Sequence, residues 1–206
     1  MDNDKRRPQD GREKTGGFTL IELIVVMAVM MIAAIVIVAL FINSSRQYHT
    51  QSNSVSLQVE AQSLESLLKN DIRSTETACS VSSGGRQLDL YSKSEDGTVV
   101  RNCYTYDASS KRIYYQQFEK NAGGWTASED PQIFASEVSD IQYRIEDQSA
   151  GNVTFSGGAE SDTAPVKIVF SAKFSLDSQS YQLDSEAAFR NQVKAYADPS
   201  AALSEL

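Results

Sequence analysis

The chain has 206 residues, with 19 Lys and Arg against 27 Asp and Glu, one His and two Cys. A net charge of −8 argues against a broad nucleic-acid surface, which needs clustered Lys and Arg, and one histidine excludes a multi-histidine metal site. The length allows a membrane segment and one domain with a real core.

The first 17 residues form a hydrophilic leader carrying Lys5, Arg6, Arg7, Arg12 and Lys14 against Asp2, Asp4, Asp10 and Glu13. Basic residues on this side of an apolar run favour the N-terminus in the cytoplasm and the rest outside. Without the leader's five basic and four acidic residues, 14 basic face 23 acidic, so the exported part is acidic. Leu23 to Ile42 is 20 consecutive apolar residues without charge, Gly or Pro. As a helix it spans roughly 30 Å, the thickness of a bilayer's hydrocarbon core. A secretory signal core is shorter, and Ala39-Leu-Phe-Ile-Asn-Ser-Ser45 is a poor cleavage site. An ordinary single-pass anchor explains the length but not the acid Glu22 at its edge. An ionisable group there reads as functional and calls for a partner.

Gly17-Phe18-Thr19-Leu20-Ile21-Glu22-Leu23, after a short basic leader, resembles the N-terminus of type IV prepilins and type II secretion pseudopilins. The resemblance implies cleavage by a prepilin peptidase between Gly17 and Phe18, and N-methylation of Phe18. It implies a role for Glu22 in assembly, paired with a neighbouring subunit's N-terminal amine. It also implies other pilin subunits and an inner-membrane assembly platform as partners, with lipid around the helix before assembly. The helix-kinking proline common in the family's apolar run is absent. Electrostatics point the same way: an acid and a new amine, each poorly solvated in lipid, offset that cost by pairing between molecules and so select one axial stagger.

Phe18 to Ser83 contains no Gly or Pro over 66 residues, which predicts one helix from the membrane to about residue 76. Past Ile42, Leu57, Ala61, Leu64, Leu68 and Ile72 recur at helical spacing and predict a stripe laid on a sheet. Asn43 to Ser56 is crowded with Ser, Asn, Thr and Gln and is expected to be the least stable part. His49 lies in that polar stretch, which leaves no His-based triad. Strands are predicted over Gln87–Ser92, Thr98–Tyr106, Arg112–Phe118 and Asp140–Glu146. Asp147–Pro165 reads as a loose segment; its acidic residues lack EF-hand spacing. Val166, Ile168, Phe170, Ala172, Phe174 and Leu176 alternate strictly, and Tyr181, Leu183, Ala187 and Phe189 resume the pattern as a hairpin.

The expected organisation is therefore a leader (1–17), a transmembrane helix (18–42), an amphipathic exported half (43–78), an antiparallel sheet (79–191) and a flexible tail (192–206). One long helix followed by strands is α+β order, and it resembles the pilin fold. Val138–Ile145 and Ala188-Phe189-Arg190-Asn191 are similar to minor subunits: PilW-type pilins, J-type pseudopilins and F-type competence pseudopilins. Cys79 and Cys103 both fall in the exported part, where a disulfide and two buried free thiols are both open. No cofactor, metal or catalytic motif is found, and the chain reads as a structural protein. Lys93, Arg101, Lys111, Arg112 and Lys120 read as scattered surface charge, and Trp125 as a plug at the core's edge. The alternative reading is a membrane-anchored extracytoplasmic binding or receptor domain outside any filament.

Overall fold

The computed structural model describes residues 17–94, 96–122, 124–148, 151–153, 155–156, 160–161, 165–197, 199 and 202. Most of the leader, much of the acidic loop after Asp147 and the last four residues lie outside the described residues. The chain divides into two compact units, Met1–Tyr48 and His49–Leu206. Helix α1 runs over Leu20–Ser74. Its Ser- and Asn-rich middle is helical throughout, since no Gly or Pro interrupts the backbone. It ends two residues short of the expected limit, where the hydroxyls of Ser74 and Thr75 both donate to the Asp71 carbonyl. The same carbonyl also accepts from the Thr75 N–H at 3.1 Å, so side-chain donors crowd the last backbone bond of the helix.

In the first unit the apolar part of α1 is exposed all round. In the second, Leu57, Ala61, Leu64, Leu68 and Ile72 are buried on one face, as their spacing predicts. They join a core built from two sheets. The strands in chain order are β1 (Ala78–Ser82), β2 (Gln87–Lys93), β3 (Val99–Asp107), β4 (Arg112–Asn121), β5 (Gly124–Ala127), β6 (Gln132–Ala135) and β7 (Val138–Asp147). After them come β8 (Gly151–Asn152), β9 (Phe155–Ser156), β10 (Glu160–Ser161), β11 (Val166–Leu176), β12 (Gln179–Ala188) and β13 (Lys194–Tyr196).

The larger sheet has the order β5-β4-β3-β2-β1-β13-β10-β9, with β6 also paired to β4; the smaller is β12-β11-β7-β8. The β3–β4 meander and the β11–β12 hairpin follow the predicted runs. Val166, Ile168, Phe170, Ala172 and Phe174 are all buried, and the residues between them are not. A two-residue turn joins β11 to β12, and Asp177 takes a φ of 52° there.

The two sheets are tied together at Gly85, in the β1–β2 turn. Its carbonyl accepts from the Tyr143 N–H of β7 at 2.7 Å. A Cβ at Gly85 would lie 2.9 Å from Gln142 Oε1 and 3.0 Å from the Tyr143 carbonyl, and its φ is +87°. Only glycine meets both conditions without strain.

The α+β layout of a long N-terminal helix and antiparallel-rich strands holds. Among the described residues the strands form two sheets, and one pairing, β1 with β13, is parallel, through Ala78↔Lys194, Cys79↔Ala195 and Ser80↔Tyr196. The aperiodic sequence after Gln192 predicts a frayed tail. Instead Val193, Ala195 and Tyr196 are buried. A three-residue strand is too short to show a period, and its pairing with β1 is set by tertiary contact rather than by pattern.

Candidate assembly site at the start of the helix

Gly17, Phe18 and Thr19 precede the first turn of α1 in non-helical conformation. The Gly17–Phe18 bond is open. A Cβ built on Gly17 meets nothing within 4 Å, and Phe18 is 82% exposed. Thr19 is the N-cap: its carbonyl accepts from the Leu23 N–H at 3.2 Å.

Glu22 lies at the third helical position and turns back on this cap. The Thr19 N–H and the Thr19 hydroxyl donate to Glu22 Oε2, each at 3.3 Å. The Glu22 N–H donates to Thr19 Oγ1, also at 3.3 Å. This is a reciprocal capping box, which satisfies two backbone donors and the carboxylate together. The T-x-x-E spacing that announces it is legible in the sequence, yet Glu22 invites the search for a partner outside the chain. Within the chain, its partner is Thr19.

Beyond the box, α1 presents apolar side chains without cover. Leu23, Val29, Ile32, Ile35, Leu40 and Phe41 are each more than half exposed. No part of the most apolar window of this helix is buried by the rest of the chain. A surface so apolar is stable only in lipid or against other protein.

In the second unit, each charged side chain of α1 between Glu60 and Asp71 turns toward the strands or along the helix's flank. The Glu60 carboxylate accepts from Ser136 N–H at 2.8 Å, just after β6. Glu65 accepts from Lys69 at 2.6 Å and from the Ser185 hydroxyl of β12 at 2.7 Å. Asp71 accepts from the Tyr104 hydroxyl of β3. The exposed positions from Gln51 to Asn70 are Gln, Ser, Val, Leu and Asn, with no charge among them. Most of these positions are polar, an uncharged face that can meet solvent.

The cysteines are both free and buried. Cys79 pairs with Leu90, and Cys103 with Asp89. Because Asp89 and Leu90 are consecutive on β2, the two thiols stand on opposite faces of the larger sheet with β2 between them. The bridge left open at sequence level is not formed. Burial pushes the Cys103 thiol up to about 11, and Cys79 higher still.

Arg101 is not scattered surface charge. It faces Cys103's side of the sheet and donates from Nε to Asp89 Oδ1 at 2.8 Å. Trp125 packs edge-on against Tyr91, ring centroids 6.0 Å apart, at the rim of a small second core. An open groove of about 400 Å³ lies outside β3 and β4, lined by Cys103, Thr105, Asp107, Tyr114, Gln116 and Pro131. Among the described residues, no group of three His, Cys, Asp or Glu side chains is arranged to hold a metal ion.

Residues 12–38 match the prokaryotic N-terminal methylation motif. The matched span holds the Gly17–Phe18 bond, the Thr19–Glu22 box and most of the exposed apolar run. It supports a subunit of the type IV pilin and pseudopilin kind, with pilins and a prepilin peptidase as its general partners. Among the described residues one helix, α1, is long and apolar enough to cross a membrane, and together with the motif it fits a membrane anchor. No curated protein matches the chain.

Proposed function

We propose that this chain is a minor pilin or pseudopilin, a structural subunit of a type IV pilus-like filament that serves in initiation or at the tip. It enters the cytoplasmic membrane as a precursor with its N-terminus in the cytoplasm. The prepilin peptidase cuts Gly17–Phe18 and methylates the Phe18 amine, and the assembly platform moves the subunit from lipid into the filament. The observation that carries this reading is the pairing of an uncovered apolar helix with one carboxylate at its entrance. Inside a filament, packed helices cover the apolar side chains, and a neighbour's amine faces Glu22. The match to the methylation motif supports the processing step, and the acidic, strand-rich unit supports an exported head. A surface pilus, a DNA-uptake filament and a type II secretion pseudopilus share this design.

Mass spectrometry of the purified membrane protein tests the first step: an N-methylated Phe18 is expected, and an intact Met1 would refute processing. Glu22→Ala tests the second. It should leave membrane insertion intact, since the segment only becomes more apolar, and remove the chain from sheared filaments. Normal incorporation of Glu22→Ala would sink the pairing. The groove beside Cys103 favours a second reading, a membrane-anchored binding domain that stays outside filaments. That reading expects the mature chain only in the membrane fraction, with none in sheared filaments.

A further inference from the structure

We propose that Thr19 is a positioning residue for Glu22: it holds the carboxylate inside the subunit until a neighbouring amine replaces it. This rests on the filament-subunit reading above. The geometry is a closed three-bond box. Thr19 gives the carboxylate two donors, its N–H and its hydroxyl, at 3.3 Å each. The Glu22 N–H in turn fixes the hydroxyl oxygen at 3.3 Å. All three bonds converge on one side-chain oxygen, Glu22 Oε2, or on the hydroxyl that faces it. Glu22 Oε1 has no intrachain bond among those the described residues make in this box.

The consequences are chemical. An ionised carboxylate at the edge of a bilayer needs donors, and a subunit waiting in the membrane has no neighbour to supply them. The box supplies them locally, at the level of residue 19 rather than residue 22. The carboxylate is thereby carried back toward Phe18, the residue whose amine processing creates. A newly cut neighbour presenting a charged amine at that level outcompetes a neutral hydroxyl, because a bond between two ions is stronger than one to a neutral donor. Assembly is then an exchange of partners: Thr19 releases Oε2, and the amine takes it.

The experiment uses the full chain, labelled with ¹³C at glutamate, first in lipid bicelles and then in isolated filaments. Glu22→Gln identifies the Glu22 carboxyl resonance by difference. Thr19→Val keeps the shape and removes the hydroxyl, while Thr19→Ser keeps the hydroxyl. In bicelles, Thr19→Val should move the Glu22 carboxyl resonance and speed exchange of the Glu22 amide about fivefold, the loss expected for an N-cap. Thr19→Ser should restore both. If exchange quickens while the resonance stays still, Thr19 only caps the helix and the proposal is overturned. It is equally overturned if neither changes.

In filaments, the wild-type resonance should differ from its bicelle position and coincide with that of Thr19→Val. A resonance that still depends on Thr19 in filaments would overturn the exchange. The filament reading fails separately, and visibly, if the chain keeps Met1 or never enters filaments while the bicelle effects of Thr19→Val persist.

Discussion

Asp89 is wholly buried in β2, and Arg101 across the strand pair is what makes that tolerable. The guanidinium stands 2.8 Å from one carboxylate oxygen, and the Gln87 amide donates to the other at 2.9 Å. The same guanidinium lies 5.1 Å over the Phe118 ring. Arg101→Ala would leave a buried charge with one neutral donor, a loss of about 3–5 kcal/mol. Urea denaturation of the variant measures it, and adding Asp89→Asn should recover part of the loss by removing the stranded charge. Glu65 gives a prediction in pH. Its carboxyl is held below the ordinary 4.5 by hydrogen bonds from Lys69 first and from Ser185. A depressed folded value means that its contribution is full above the unfolded value and fades as pH falls through the folded one. Melting curves between about pH 5 and 3 should therefore fall less steeply for Glu65→Gln than for the wild type.

At the level of elements, the apolar face of α1 was the most legible feature, because five residues at steps of three and four admit only one buried side. Leu64 is 1% exposed in that face. Leu64→Ala should destabilise the second unit by about 2–5 kcal/mol, seen as a lower denaturation midpoint at unchanged slope. The β11–β12 hairpin was equally plain, since alternation over eleven residues leaves one register. Short strands were not. β5, β6 and β13 are three or four residues long, and nothing so brief shows a period. Polar ties were illegible for a different reason. Glu60, Glu65 and Asp71 look like ordinary surface acids of a helix, and only tertiary placement shows that Ser136, Ser185 and Tyr104 meet them. At the candidate site, Gly17, Phe18 and Glu22 stood out by motif, whereas Thr19's grip on Glu22 was signalled only by T-x-x-E spacing and took a side-chain rotamer to close.

For the whole molecule, the division at Tyr48 and His49 separates the exposed apolar first part of α1 from a unit with its own core. A fragment of residues 49–206 should fold in water without detergent and unfold in one cooperative transition, with coincident curves by near- and far-ultraviolet circular dichroism. Non-coincident curves would mean that the fragment does not unfold as one cooperative unit.

The parallel pairing of β13 with β1 sets a timetable. Ala78 meets Lys194, 116 positions later, so β1 cannot gain its second neighbour until all the strands between them have been synthesised. Closing so large a loop is slow compared with forming the β11–β12 hairpin. While the ribosome is still delivering the intervening strands, one side of β1 stands open to any passing strand, and a chaperone that shields open sheet borders would find its client there.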